Sequence, residues 1–321
     1  MTPLAQPALR CAAALALAAL TLAPPLGGPA RAGDRLRVVF VTHGQAGDPY
    51  WNAVKNGTTR AAADFDADVR YESPESFDMS AMAKLVDAAV ASRPDGLAVS
   101  IPDAEALGPS IRAAVSAGIP VIAIDSGLTT WRSLGAAAYL GQDGYRAGLA
   151  VGRRLGAAGA RRILCVHHEV GNVDLDNRCR GAKDGSGAEV VVLPVPTDPR
   201  EVQSRVMGAL QQSREIDAVL TLGPLGAIPM LKAVDELDVR SRLRALATFD
   251  MTPEVLERVA DGTLLFATDA QQFLMGYLPV ASFRLHQLYG VLPTEAWPTG
   301  PRFVTRELAP GVLELARRGL R

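Results

Sequence analysis

Cysteine, net charge and long apolar runs are all scarce in this 321-residue chain, and each shortage excludes a class of protein. Its three cysteines are too few for a disulfide-framework mini-protein or a multi-cysteine zinc protein. Its 33 basic and 34 acidic residues leave a net charge of −1, without the basic surplus that nucleic-acid-binding proteins usually carry. No stretch after residue 33 is apolar for the roughly 18 residues that a membrane span needs.

The common catalytic motifs are missing as well. The chain contains no G-x-S-x-G elbow, no H-E-x-x-H helix and no phosphate-binding P-loop. Residues 167–169 read His-His-Glu, but neighbouring residues on a strand point to opposite faces, so we expect no metal site there. We therefore expect no cofactor, no metal and no catalysis of these kinds.

The first 32 residues have the layout of a cleaved secretory signal peptide. Arg10 provides the positive charge, residues 11–23 form an apolar run of alanine and leucine, and Ala30-Arg31-Ala32 is an A-x-A cleavage site. The alternative is an uncleaved anchor helix, for which the run is short. We expect a mature, periplasmic chain that begins at Gly33.

The full chain is 48% hydrophobic, and after residue 33 it alternates short β-branched runs with helix-period segments. The pattern predicts strands at 37–41, 69–71, 96–101, 120–125, 163–166, 190–195, 218–222, 244–249 and 264–268. It predicts helices at 51–65, 82–90, 104–117, 145–155, 200–211, 227–237 and 253–260. Such alternation is typical of an α/β fold with parallel sheets covered on both faces, and so many units favour two doubly wound, Rossmann-like domains.

The two halves each contain a strand that ends in an aspartate, Asp125 and Asp250. Ligands of open α/β sheets bind outside the carboxyl ends of the strands. Two sheets whose strand ends face each other would therefore form a cleft with an aspartate on either side.

Seven segments in order carry a resemblance to a known family. They are residues 41–51 (VTHGQAGDPYW), 92–103 (SRPDGLAVSIPD), 117–125 (AGIPVIAID), 141–148 (GQDGYRAG), 178–181 (RCRG), 248–254 (TFDMTPE) and 269–277 (DAQQFLMGY). Together, and behind a signal peptide, they resemble the periplasmic sugar-binding proteins of ABC transporters, of the ribose-binding type with the LacI-like fold.

The resemblance implies an interleaved architecture and a transport role. One lobe would comprise residues 34–140 and 272–301, the other 141–271 and 302–321, joined by a multi-strand hinge. The protein would be a monomer that binds a monosaccharide or sugar alcohol in the cleft and delivers it to the permease and ATPase subunits of an importer. Two alternatives stay open: a sugar receptor that feeds a chemoreceptor or sensor kinase, and a secreted carbohydrate-acting enzyme.

Charged and planar side chains bind sugar hydroxyls with geometric specificity, and aromatic rings cover the apolar sugar faces. The resemblance and the chemistry together predict nine ligand-binding residues: Asp48, Tyr50, Trp51, Asp125, Gln142, Asn172, Arg178, Asp250 and Gln271. Each has a structural alternative, such as a helix cap for the aspartates, core packing for Trp51 and a solvated helix position for Arg178. His43 could touch ligand or pack in the core.

Three positions depart from the family pattern. Ser126 stands where an arginine is common, Gly223-Pro224 replaces a usual Asn-Asp, and Ala270 replaces a glutamine. These changes leave the sugar class open. A pentose variant, a deoxy-sugar or a sugar alcohol fits the altered pattern.

Two cysteines remain after cleavage, Cys165 in a predicted strand and Cys179 near the start of the following predicted helix. An oxidising compartment permits a disulfide between them if their Cα atoms lie within about 7 Å. The alternative is a pair of buried free thiols.

Overall fold

A computed structural model describes residues 35–45 and 47–321 of the chain. The predicted signal peptide lies outside the described residues. Within them, no helix is long and apolar enough to cross a membrane.

The described chain alternates strands and helices almost throughout. The strands are β1 Leu36–Val41, β2 Ala67–Glu72, β3 Gly96–Ser100, β4 Val121–Ile124, β5 Ala138–Gly141, β6 Arg162–His167, β7 Glu189–Pro194, β8 Ala218–Thr221, β9 Ala245–Thr248, β10 Phe266–Asp269, β11 Ala296–Pro298 and β12 Arg302–Val304. The helices are α1 Pro49–Asp64, α2 Met79–Ala91, α3 Ala104–Ser116, α4 Gly144–Ala157, α5 Val173–Ser186, α6 Pro199–Gln212, α7 Pro224–Glu236, α8 Pro253–Ala260, α9 Gln272–Tyr289 and α10 Ala309–Arg317.

The strands form two six-stranded sheets. One has the order β11-β5-β4-β3-β1-β2 and the other the order β12-β10-β9-β8-β6-β7. Strand pairs are parallel except that β12 runs antiparallel to β10. The prediction of an α/β protein with two doubly wound sheets is confirmed.

Burial explains why the inner strands are apolar at nearly every position. All residues of β3, β4, β8 and β9 are buried, because helices cover both faces of each sheet. The edge strand β7 is half-buried or exposed along its whole length. Aspartates begin many of the covering helices: the side chains of Asp48, Asp78, Asp103, Asp143 and Asp198 accept hydrogen bonds from backbone N–H groups of the first turn.

The sequence pattern misplaced or missed several elements. Helix α5 begins at Val173, so Arg178 and Cys179 lie in its second turn and not near its start. Strands β5, β11 and β12 and helices α9 and α10 were not predicted. The three strands are only three or four residues long, and apolar residues around the circumference of α9 obscure its period.

Three connections cross from one sheet to the other and touch one another. They join β5 to α4, β10 to α9, and β11 to β12. The Thr299 N–H donates to the Gly141 carbonyl over 3.1 Å, and the Gln271 side chain donates to the Thr299 carbonyl. These crossings support our proposal that the lobes comprise residues 34–140 with 272–301 and residues 141–271 with 302–321.

Helix α5 approaches α4 unusually closely because glycines line the contact. A Cβ at Gly148 or Gly152 would collide with the backbone of α5, at Arg178 and Ala182 respectively. The glycines of α4 therefore set the position of α5 and, through it, the position of Arg178.

Candidate functional site

A pocket lies between the carboxyl ends of the strands of the two sheets. Its lining residues come from the loops and helix starts after β1, β4, β6, β8 and β9. They are His43, Asp48, Tyr50, Trp51, Asp125, His168, Glu169, Asn172, Leu175, Arg178, Gly223, Pro224, Leu225 and Asp250. The pocket thus has the position expected of a ligand site in open α/β sheets.

Arg178 and Asp250 form a buried ion pair on the side of the second sheet. The Arg178 Nη1 donates to Asp250 Oδ2 over 3.1 Å and to the Leu222 carbonyl over 3.0 Å. The guanidinium also lies 4.7 Å from the ring centre of Phe249, and the Gln272 amide donates to the other Asp250 oxygen. With only 6% and 2% of Arg178 and Asp250 exposed, the pair is fixed in place for a bound molecule.

Asp125 occupies the matching position on the first sheet. It follows β4 with φ of 61°, the same value as Asp250 after β9, in the left-handed region that aspartate tolerates. The Tyr50 hydroxyl donates to Asp125 Oδ1, and the Ser126 hydroxyl donates to Oδ2 over 2.8 Å. The repeated backbone turn explains why the two halves of the sequence each end a strand in an aspartate.

A buried polar cluster joins the two sides of the pocket. The Nε2 of His43 lies 3.8 Å from Asp125 Oδ2 and 3.6 Å from Glu169 Oε2. The Asn172 amide donates to Glu169 over 2.8 Å, and it lies 3.4 Å from the His43 Nε2. Because His43 belongs to the first sheet and Asn172 and Glu169 to the second, this cluster bridges the cleft.

Burial shifts the titration of these groups towards their neutral forms. It raises the pKa of Asp48 to about 6, of Asp250 to about 7 and of Glu169 to about 8. Hydrogen bonds to these three groups lower their pKa values, and the Arg178 charge lowers those of Asp250 and Glu169 further. Burial lowers the pKa of His43 to about 4. Glu169 and His43 are therefore neutral near pH 7 and stand beside the Arg178–Asp250 pair, where they can exchange hydrogen bonds with hydroxyl groups.

Seven of the nine predicted ligand residues line this pocket. Asp48 lines it while capping α1, and Trp51 lines it while packing edge-on against His43 with ring centres 4.8 Å apart. Functional and structural roles thus coincide at these positions. Asn172 lies directly before α5 and caps it, with its side chain accepting a hydrogen bond from the Asp174 N–H.

The structure does not bring Gln142 and Gln271 to the pocket. Gln142 is buried at the crossing beside Gly300, and Gln271 bonds to the crossing segment at Thr299. Gln142 follows β5 and Gln271 follows β10, so both resembled site residues in the sequence, but the chain passes between the sheets at these points.

Sequence reasoning missed His168 and Glu169. It weighed the His-His-Glu run only as metal ligands, and within the part of the chain that the structure describes no cluster could hold a metal ion. The signal that could have found them is their place directly after β6, at a carboxyl strand end.

Cys165 and Cys179 form a disulfide in the structure, with Cα atoms 6.1 Å apart. The bridge ties β6 to α5 one residue after Arg178. It therefore anchors the helix turn that carries the buried arginine.

Comparisons with known proteins agree with this geometry. A family model described as a periplasmic binding protein domain matches residues 38–286. The chain is similar to a carbohydrate transporter from Acidothermus cellulolyticus, solved in complex with myo-inositol, with 36% identity, 90% of this chain and all of the other covered, and a TM-score of 0.85. It is similar to a periplasmic sugar-binding protein from Legionella pneumophila, with 27% identity and a TM-score of 0.77; the match covers 83% of this chain and all of the other. It is also 22% identical to the xylose/arabinose-binding protein XylF of Sulfolobus acidocaldarius, over 84% of this chain and 71% of that protein.

Proposed function

This chain belongs to the periplasmic binding protein family, and on that premise we propose that it is the solute-binding component of an ABC sugar importer. It binds an uncharged monosaccharide or sugar alcohol in the pocket between its two lobes. Its task is recognition and delivery, since the family and the solved relatives are binding proteins and not enzymes.

The observation that carries the proposal is the pair of matched aspartates, Asp125 and Asp250, one from each sheet in a single pocket. Each carboxylate is held by another side chain, Asp125 by Tyr50 and Asp250 by Arg178, so its remaining acceptor capacity is oriented. Paired acceptors across a cleft can take hydroxyl protons from opposite edges of one ring. The rings of Tyr50 and Trp51 lie beside them to cover an apolar ring face.

Ligand binding is coupled to closure of the two lobes. In the structure, contacts cross the cleft directly: the Val173 N–H donates to the Pro102 carbonyl over 3.3 Å, and the Gly127 N–H donates to Asp174 Oδ2 over 3.3 Å. A ligand that touches both lobes favours this closed arrangement over an open one. The three crossing connections form the hinge, because only there does the chain pass between the sheets in the described residues.

A polyol is the first ligand to test. The 36%-identical relative was solved with myo-inositol, which has a hydroxyl on every ring carbon and no ring oxygen or anomeric centre. Such a ligand suits a pocket with acceptors on both sides. The departures at Ser126 and Gly223 distinguish the site from the ribose-binding pattern.

The deciding experiment is a thermal-shift screen of the mature protein against myo-inositol, other cyclitols, pentoses, hexoses and linear polyols, followed by calorimetry on each ligand that raises the melting temperature. Mass action predicts about 2.7 kcal/mol of added stability at a hundredfold excess over the dissociation constant. The Arg178→Met variant should lose the shift, and Arg180→Met, which changes an exposed neighbour on the same helix, should keep it. If no sugar or polyol raises the melting temperature of the native chain, the proposal fails.

Export and partner choice have their own tests. Amino-terminal sequencing of the protein recovered from a periplasmic fraction should begin at Gly33 if the first 32 residues are a cleaved signal. Reconstitution with the permease and ATPase encoded beside the gene should give ligand-stimulated ATP hydrolysis, whereas a receptor role predicts stimulation of a chemoreceptor or kinase instead. Light scattering should give the mass of a monomer.

A further inference from the structure

The Nδ1 of His168 is buried and has no hydrogen-bond partner in residues 35–45 and 47–321. The Nδ1 of the neighbouring His167 is buried without a partner as well, but His167 does not line the pocket and its Nε2 lies 3.1 Å from Asp176 Oδ1. Buried polar atoms in native proteins are usually satisfied, so an unpartnered nitrogen on a ring that lines a pocket points to a bound molecule as its partner.

Gly223 makes room for this ring. A Cβ placed on Gly223 would lie 3.0 Å from His168 Cε1 and 3.3 Å from His168 Nε2. The backbone of Gly223 is extended, with φ of 174°, a conformation that any residue adopts. A side chain here would force the imidazole to shift by a few tenths of an ångström, so the tight fit at Gly223 comes from the ring and not from the backbone.

The imidazole can replace the kind of side chain that Gly223 lacks. An amide offers a donor and an acceptor, and a neutral imidazole offers one of each on its two nitrogens. Burial lowers the pKa of His168 to about 3, and the nearby His167, Arg178 and His43 act in the same direction. His168 therefore stays neutral at physiological pH and can both donate to and accept from a hydroxyl.

The ring also stands where a ligand can reach it. His168 and Glu169 line both the central pocket and an outer cavity of about 360 Å³ at the mouth of the cleft. The outer cavity is walled by side chains that include Phe77, Val170 and Arg205. The ring therefore borders both the ligand pocket and the outer cavity.

We propose that His168 is a specificity-determining ligand contact, which supplies from the end of β6 the hydroxyl-binding group that the loop after β8 lacks. Gly223 and His168 then form one functional unit, because the absence of a side chain at Gly223 leaves the space that the His168 imidazole occupies. This inference rests on the proposed function and adds the recognition of a hydroxyl group by a neutral histidine.

A double-mutant cycle tests the unit. Calorimetry with myo-inositol, or with whichever polyol binds best in the screen, compares the native chain with His168→Ala, Gly223→Asn and the double variant. His168→Ala should weaken binding about tenfold, the effect of one lost hydrogen bond. Gly223→Asn should weaken it further by displacing the ring, and the double variant should bind more tightly than Gly223→Asn alone, because the amide then has the vacated space.

The controls separate contact from folding. His167→Ala changes the adjacent histidine, which does not line the pocket, and should alter affinity less than twofold. Gly223→Ala adds only the Cβ and replaces Gly223→Asn if the latter does not fold. Imidazole ¹⁵N spectra should show a neutral His168 whose nitrogen shifts move on addition of the polyol.

Three results would each overturn the inference: unchanged affinity in His168→Ala, strictly additive losses in the double variant, or His168 nitrogen shifts that do not change when the polyol is added. If the native chain binds no sugar or polyol, the proposed function itself fails. That failure can be told apart from failure of the His168 inference, because the native chain is measured before any variant.

Discussion

Replacing Arg178 with methionine should destabilise the protein strongly, and more so as pH rises. The substitution keeps the length of an unbranched side chain but removes the charge that faces Asp250 at 3.1 Å. Asp250 would remain 2% exposed with only the Gln272 amide as a charge-neutral partner. Breaking a buried ion pair by removing one member costs about 3–5 kcal/mol, because the other charge stays buried and unpaired.

The pH dependence follows from the remaining carboxyl group. Burial already raises the pKa of Asp250 to about 7 while Arg178 holds it down, so the variant must have a higher value still. A raised pKa means that the folded state keeps a proton that the unfolded state releases, so this group lowers stability as pH rises from about 4 to the folded pKa. In the native chain this fall in stability ends near pH 7. In the variant, stability continues to fall above pH 7. The gap between the two proteins should therefore widen from pH 5.5 to pH 8.5.

Calorimetric melting of the ligand-free proteins at pH 5.5, 7.0 and 8.5 measures this gap. At pH 8.5 the expected loss corresponds to a fall of about 10 °C in melting temperature for a lobe of this size. Arg180→Met is the matched control, since Arg180 is exposed on the same helix and rests against Tyr145. A surface change of that kind stays within about 0.5 kcal/mol. The reasoning is refuted if the two variants melt together, or if the gap for Arg178→Met is the same at every pH.

Four further predictions concern stability. The disulfide closes a loop of 14 residues, so its reduction should lower the unfolding free energy by about 3 kcal/mol. Thiol titration of the unreduced mature chain in denaturant should find no free thiol. Glu169→Gln should flatten the loss of melting temperature between pH 6.5 and 8.5, because burial raises the pKa of that carboxyl to about 8; an unchanged profile would contradict this assignment. Gly276→Ala should destabilise the protein by several kcal/mol, because the new Cβ would overlap the Val54 carbonyl where α9 meets α1. A variant that melts at the native temperature would disprove this packing. Gly208→Ala, whose Cβ meets no atom within 4 Å on helix α6, should instead raise stability by about 0.5–1 kcal/mol in the same assay.

The pattern of the sequence was sufficient for the fold class because helix and strand periods are local properties. The inner strands are continuous apolar runs that both faces of a sheet must bury, and they were found within a few residues of their true bounds. Strand β12 could not be found in this way. It is three residues long and is defined by its antiparallel pairing with β10, a partner 33 or more positions away in the chain.

The candidate site was predictable where residues follow strands. Asp125 and Asp250 stand at strand ends in the sequence and at matching turns in the structure. Gln142 and Gln271 satisfy the same sequence criterion, yet the structure places them at the crossings between the sheets. Position after a strand indicates one edge of a sheet, but only the topology decides which part of that edge faces the other lobe.

The sequence by itself determined the alternation of strands and helices, the strand-end aspartates and the spacing of the two cysteines, because each depends on residues close together in the chain. The tertiary structure alone decided which of these residues meet. It places His43 of one sheet 3.6 Å from Glu169 of the other, and it leaves the His168 ring in the space beside Gly223. Such contacts depend on how two separately built sheets approach each other, and no local pattern of hydrophobicity or charge contains that distance.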